Sequence, residues 1–194
     1  QETGNRASEA DAYRDLGIAH REQGDYVQAE RETSQALHIY REIGNRASEA
    51  HAHSELGVLY RLRGDYARSR QETTQALRHY QESGNQWSEA DAHRSLGIAH
   101  REQGDYVQAE QETTQALQLY RDVSNQKGEG DARRDLGVLY RLCGDYARSE
   151  RETVEALSIY QECHNQRGEK LARNDLDTLY RLRGDVGDGA ENLD

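Results

Sequence analysis

Phenylalanine, methionine and proline are missing altogether, and cysteine occurs twice. Without phenylalanine or methionine, and with apolar residues at 34% of the chain, only a modest core can form. Tyrosine, with 12 copies, must supply most of the bulk, its ring buried and its hydroxyl on a polar partner. Without proline, the punctuation falls to glycine and asparagine. Two cysteines do not make a disulfide framework. Cys143 and Cys163 are separated by roughly 18 helical residues, about 27 Å at 1.5 Å per residue, whereas a disulfide needs Cα atoms within about 7 Å. Two free thiols fit a reducing compartment, so a cytoplasmic location is expected. No apolar run approaches the length of a transmembrane helix. The opening Gln-Glu-Thr-Gly-Asn lacks the basic and apolar regions of a signal peptide. It also lacks an initial Met, consistent with a leader or further domain ahead of it. Basic residues number 25 and acidic ones 36, a net charge of −11. That balance argues against general nucleic-acid or anionic-membrane binding. Gly-rich phosphate loops, Ser-His-Asp spacings, HExxH and CxxC are absent too. No enzyme activity, cofactor or metal ligand is therefore expected.

What the chain does have is a period of forty residues. Leu16, Leu56, Leu96, Leu136 and Leu176 fall in register, as do Gly-Asp pairs at 24–25, 64–65, 104–105, 144–145 and 184–185. Ala-Leu recurs at 36–37, 76–77, 116–117 and 156–157. A fixed period in this range marks a repeat array. Repeats fall at 5–44, 45–84, 85–124 and 125–164, with a half repeat at 165–183. Residues 17–30 and 97–110 are identical, and 57–69 differs from 137–149 only at Arg63 and Cys143. A second period of eighty is thus present, as if a two-repeat unit had duplicated.

Each unit reads as two helices. Ala92, His93, Leu96, Gly97, Ala99 and His100 have helical spacing. Gly104 ends that first helix because it can turn left-handed at no steric cost. Asp105 follows as N-cap, with Gln108 three residues on. Tyr106, Ala109, Thr113, Ala116, Leu117 and Tyr120 trace one stripe of a second helix. Gly-Asn closes the unit at 44–45 and 84–85, and Ser124-Asn125 replaces it at the end of the third. Gly97 sits inside the first helix, where glycine costs roughly 1 kcal/mol against alanine. Its recurrence as Gly17, Gly57 and Gly137 points to close helix contact.

Leu-Gly, Tyr or His three residues after that Gly, then Gly-Asp-Tyr, Ala and Ala-Leu together resemble the tetratricopeptide repeat. The likeness covers nearly the whole chain. Its long period is similar to the repeats of Pins-type adaptors, kinesin light chains and actinobacterial regulators with an NTPase ahead of the array. Departures are Thr33, Thr73, Thr113 and Thr153 where an aromatic is usual in the second helix. His53, His93, Arg133 and Arg173 replace the aromatic that survives as Tyr13. The resemblance implies an all-α, right-handed α-solenoid of antiparallel helix pairs, about nine helices, over 1–183. It implies a non-enzymatic protein-interaction scaffold with a concave groove lined by the first helices.

On that face lies an arginine ladder. Arg21, Arg61, Arg101, Arg141 and Arg181 share one column, and Arg14, Arg94 and Arg134 another, with Ile18, Val58, Ile98 and Val138 between. Aligned arginines can hold carboxylates or phosphates bidentately. The groove is thus expected to take a peptide or protein segment with acidic groups, including one from another domain of the parent protein. The alternative is that Asp11, Asp15, Glu55, Asp91 and Asp135 neutralise the arginines in inter-helix pairs. The asparagine that often precedes Leu-Gly in the family is Asp15, Glu55, Ser95, Asp135 and Asp175 here. A chaperone-type carboxylate clamp would want polar residues at Ile18 and Val58. A structural or self-assembling spacer is a further reading. RNA binding is disfavoured because no aromatic interleaves the ladder. The histidines read as packing or surface groups, and His51 and His53, two apart, do not share a face.

The ends carry two more expectations. Gln1 to Asn5 aligns with Gln81 to Asn85, so the chain should open on the last turn of a second helix. Asp177 stands where the other repeats have Gly, and residues 184–194 read as a disordered acidic tail. With no second helix to follow, Leu176, Leu179 and Tyr180 are expected on an open face, where they would support a weak homodimer.

Overall fold

A computed structural model describes residues 2–184. Nine helices occupy them: α1 (Glu2–Glu22), α2 (Tyr26–Glu42), α3 (Arg46–Leu62), α4 (Tyr66–Ser83), α5 (Gln86–Gln103), α6 (Tyr106–Asp122), α7 (Gln126–Leu142), α8 (Tyr146–Glu162) and α9 (Gln166–Arg183). No strand occurs among the described residues. The chain is an all-α repeat solenoid. Each helix packs on its neighbours in sequence, so α1 pairs with α2, α3 with α4, α5 with α6 and α7 with α8.

The turns are made as the pattern predicts. Gly84 and Gly104 take left-handed φ of 68° and 89°. Asn45 N–H reaches back to Tyr40 O at 2.9 Å and Gly44 N–H to Arg41 O at 3.2 Å, which caps the last carbonyls of α2. Asp105 then accepts from Gln108 N–H at 3.3 Å and Asn45 from Ser48 N–H at 3.1 Å, satisfying free donors at the next helix start. Ser124 and His164 hold φ of 55° where the other repeats place Gly.

Small residues let the helices close. Ala36, Ala76, Ala116 and Ala156 are fully buried. Gly97 lies so near Thr113 that an added Cβ would overlap its Oγ1, and would meet Thr113 N at 3.2 Å and Ala109 O at 3.3 Å. The expected close approach is therefore a contact between the first helix and its own second helix. The core is carried by tyrosines, with Tyr40, Tyr120 and Tyr160 at 0–1% exposure. Gly128 and Gly168 make room for the rings of Tyr120 and Tyr160, respectively.

Two expectations are corrected. Gly4-Asn5 is not a turn, because α1 runs through it from Glu2. The matching turns at 44–45 and 84–85 are held between packed helices, and no helix precedes α1 among the described residues. For the same reason Leu16 is 49% exposed while Leu56, Leu96, Leu136 and Leu176 are buried. Leu176 and Leu179 do not lie on an open face: they are 4% and 1% exposed. Leu176 packs with Ala156, Leu157 and Tyr160 of α8, and Tyr180 packs against that cluster. The leucine column faces the preceding second helix, which α9 has, and not the following one. The side of α9 away from α8 carries exposed Lys170, Asn174, Asp177 and Thr178, the polar end a solenoid needs. From residue 185 onward the expected acidic tail lies outside the described residues.

Candidate functional site: the inner face of the array

Curvature decides which face is inner. Odd-numbered helices touch one another in succession, α1 to α3, α3 to α5, α5 to α7 and α7 to α9, whereas no two even-numbered helices meet among the described residues. The odd helices therefore line the shorter, inner side. The Arg14 and Arg21 columns belong to them, and Ile18, Val58, Ile98 and Val138 are partly exposed there.

Most of the ladder is paired across repeats. Arg21 Nη1 lies 3.1 Å from Glu55 and Arg61 Nη1 3.1 Å from Glu102. Arg94 Nε donates to Asp135 at 2.6 Å, and Arg134 Nε to Asp175 at 2.6 Å. Arg101 Nη1 approaches the same Asp135 at 3.6 Å, and Arg94 Nη1 also approaches Asp131 at 3.6 Å. Arg14 turns back on Asp11 and Asp15 of its own helix, at 3.1 and 3.0 Å. Burial opposes the charge of Arg94, but Asp135 and Asp131 outweigh it and hold the guanidinium more firmly protonated than usual. Arg141 and Arg181 have no carboxylate partner among the described residues. Beside them Leu142 and Leu182 are 50% and 54% exposed.

Between the helices the recurring polar contact is a tyrosine on a carboxylate. Tyr40 donates to Asp11 at 2.6 Å and Tyr160 to Asp131 at 2.7 Å within a repeat; Tyr60 to Glu30 at 2.8 Å and Tyr140 to Glu110 at 2.7 Å join one repeat to the next. His20 and His100 stand in the Tyr60 column, and the Nδ1 of each is buried without a hydrogen-bond partner among the described residues. His93 Nδ1 meets Glu112 at 2.7 Å and Arg133 meets Glu152 at 2.8 Å in the position where His53 meets Glu72 at 2.6 Å. His20, His93 and His100 thus sit partly buried between helices, His93 on a carboxylate.

One cluster was not legible. Glu49, His53 and His79 converge between α3 and α4. The sequence signal was His79 itself, which stands in a column otherwise occupied by Ile39, Leu119 and Ile159. His51 faces elsewhere, its Nδ1 3.1 Å from the Tyr80 hydroxyl. Cys143 is exposed and Cys163 half-buried, both as free thiols. No helix among the described residues is long and apolar enough to cross a membrane.

Comparisons with known proteins agree with this architecture. Two tetratricopeptide-repeat family models match, one over residues 48–122 and one over residues 10–33. No curated protein sequence matches the chain. Among solved structures, BtubC (BKLC) from P. vanneervenii is similar at TM-score 0.76 and 19% identity, over 94% of this chain and 83% of that one. A Rap protein complexed with competence and sporulation factor is similar at TM-score 0.81 and 18% identity, over 91% of this chain and 50% of that one. A Podosopora anserina kinesin light chain with nearly identical TPR-like repeats gives TM-score 0.74 and 13% identity, over 93% of this chain and 89% of that one. This chain thus spans half the length of the Rap protein. At such identities the likeness is one of fold. With the family models lying on the same Leu-Gly, Gly-Asp-Tyr and Ala-Leu registers that build the helix pairs, the chain is a tetratricopeptide-repeat array.

Proposed function

We propose that the array is a non-enzymatic protein-interaction scaffold. Its inner face holds a segment of a partner, or of another domain of the parent protein, that carries acidic and apolar side chains. The observation that carries this reading is the C-terminal end of the ladder. Arg141 and Arg181 lack carboxylate partners among the described residues, while exposed Leu142 and Leu182 lie beside them. Val138 adds a partly exposed apolar side chain on the same face. An arginine with open donors next to apolar surface suits a carboxylate flanked by leucine-like residues. The fold supports the class of function, since the similar Rap protein was solved in complex with competence and sporulation factor. The N-terminal part of the ladder is spoken for by its own carboxylates, so it serves the array more than a ligand.

The test uses a labelled peptide of alternating Glu and Leu and its Lys-Leu counterpart, read by fluorescence anisotropy. The acidic peptide should bind, and more weakly as salt screens the attraction. Arg141→Glu with Arg181→Glu should abolish binding and leave the helical circular dichroism unchanged. Arg61→Glu would instead repel Glu102 and disturb the array, so it is the wrong probe for a ligand. Equal binding of both peptides, or undiminished binding by the double variant, would favour a spacer over a groove.

A further inference from the structure

His79 occupies a column that is aliphatic in the other second helices, where Ile39 and Leu119 are buried. A histidine there needs polar company. Its Nε2 lies 4.0 Å from Glu49 Oε1. Its ring lies nearly parallel to that of His53, with centroids 6.2 Å apart and 20° between planes. Glu49 and His53 are one turn apart on α3, so they share a face, and they are 6% and 3% exposed. One ligand atom from each of the three residues lies within 4.8 Å of the others.

His53 is already oriented. Its Nε2 is 2.8 Å from Arg41 Nη2, and its Nδ1 is 2.6 Å from Glu72 Oε2. A guanidinium only donates. Nε2 therefore carries the lone pair, and Nδ1 carries the proton that it donates to Glu72. A carboxylate behind the ring fixing the inward lone pair is how metal-binding histidines are held. Arg41 also donates through Nε to Glu49 Oε1 at 2.9 Å. Its guanidinium thus covers the atoms a metal would take. The Arg41 side chain is 52% exposed and springs from the last turn of α2, so it can swing into solvent without repacking the core.

We propose that Glu49, His53 and His79 form a zinc site, with Arg41 as an internal cation that the metal displaces. Two imidazoles and a carboxylate are the donor set of three-ligand zinc centres, which leave a fourth position for water. Ligand atoms around zinc stand about 3.3 Å apart for metal–ligand distances near 2.0–2.1 Å. The three atoms, now within 4.8 Å of one another, must therefore draw together by up to about 1.5 Å as the metal binds. A cavity of about 230 Å³ lined by Arg46, Ala50, His51, His79 and Tyr80, among others, adjoins the cluster and gives a hydrated ion a way in. The other repeats cannot do this: Glu89 and His93 share their repeat with Leu119, and Glu129 and Arg133 share theirs with Ile159.

Isothermal titration of the chelator-treated chain with zinc chloride should give one zinc per chain. The thermal midpoint should rise with zinc, fall back with EDTA and ignore magnesium. His79→Ile installs the residue of the equivalent positions, so it should keep the helical signal and abolish both effects. Glu49→Gln should weaken binding at least tenfold. Arg41→Gln removes the competing cation and should tighten binding several-fold. Failure of the unaltered chain to bind zinc, survival of binding in His79→Ile, or an affinity unmoved by Arg41→Gln overturns the site. The groove proposal is untouched by any of these results, because its residues lie on the inner face and not in this cluster.

Discussion

At Gly97 the sequence and the packing can be compared atom by atom. A Cβ there would overlap Thr113 Oγ1 and crowd backbone atoms Thr113 N and Ala109 O at 3.2 and 3.3 Å. The hydroxyl can rotate away, but the backbone of α6 cannot. Gly97→Leu should therefore force α5 off α6 and cost about 1–3 kcal/mol, the usual range for overpacking. Gly97→Ala with Thr113→Ala should recover part of the loss, since only the hydroxyl overlap is relieved. Thermal unfolding followed by circular dichroism measures both. A variant as stable as the parent would mean the helices do not approach here. The same logic accounts for Asp177, which stands in the glycine column on α9 and is exposed because no described helix follows it.

Between helices, the tyrosine hydroxyls set how stability should depend on pH. Burial, and then a hydrogen bond to a carboxylate, pushes Tyr40, Tyr60 and Tyr140 up to about 12 from the usual 10.0. Tyr120 and Tyr160 are raised by the same causes, burial first. A phenol that keeps its proton longer folded than unfolded contributes stability that is complete below about pH 10 and lost as pH rises toward 12. Exposed Tyr106 can ionise without unfolding, but in an alkaline titration the phenolate absorbance of the buried tyrosines should rise in one step with the loss of helicity over that window. Full phenolate absorbance from all 12 tyrosines before any loss of helix would show the buried ones to be open. Glycine and asparagine punctuation made the helix boundaries from α2 onward readable, because a capped turn is a local device. Helix facing was less readable. In α9, Leu176 and Leu179 were assigned to the following helix and belong to the preceding one. A hydrophobic stripe reveals that a face is covered, while the covering element is set by tertiary packing. The Glu49–His53–His79 cluster was hidden for the same reason, since it joins residues from two helices and its signal is a single interrupted column.

Across the whole molecule, contact runs only between neighbours, so the array should behave as a chain of coupled units. Asp135 couples the third and fourth repeats through two arginines. It is 6% exposed, accepts from Arg94 at 2.6 Å and faces Arg101 at 3.6 Å. The sequence offered both readings of the ladder, a ligand surface or an internal set of pairs, because the acidic column at 15, 55, 135 and 175 adjoins the basic ones. Distances assign Arg94, Arg101 and Arg134 to the pairs. Asp135→Ala should leave Arg101 without its carboxylate and Arg94 with only Asp131 at 3.6 Å, at a largely buried position, and cost about 1–3 kcal/mol. Glu102→Ala removes a more exposed pair with Arg61 and should cost less than about 1 kcal/mol. Hydrogen exchange should localise the damage. In Asp135→Ala, amides of α7, α8 and α9 should exchange faster than in the parent, while those of α1 to α4 should keep their protection. That asymmetry follows from having three helices on one side of the weakened interface and six on the other. Equal acceleration in all helices would instead show that the array opens as one cooperative body, and that no single interface can be loosened alone.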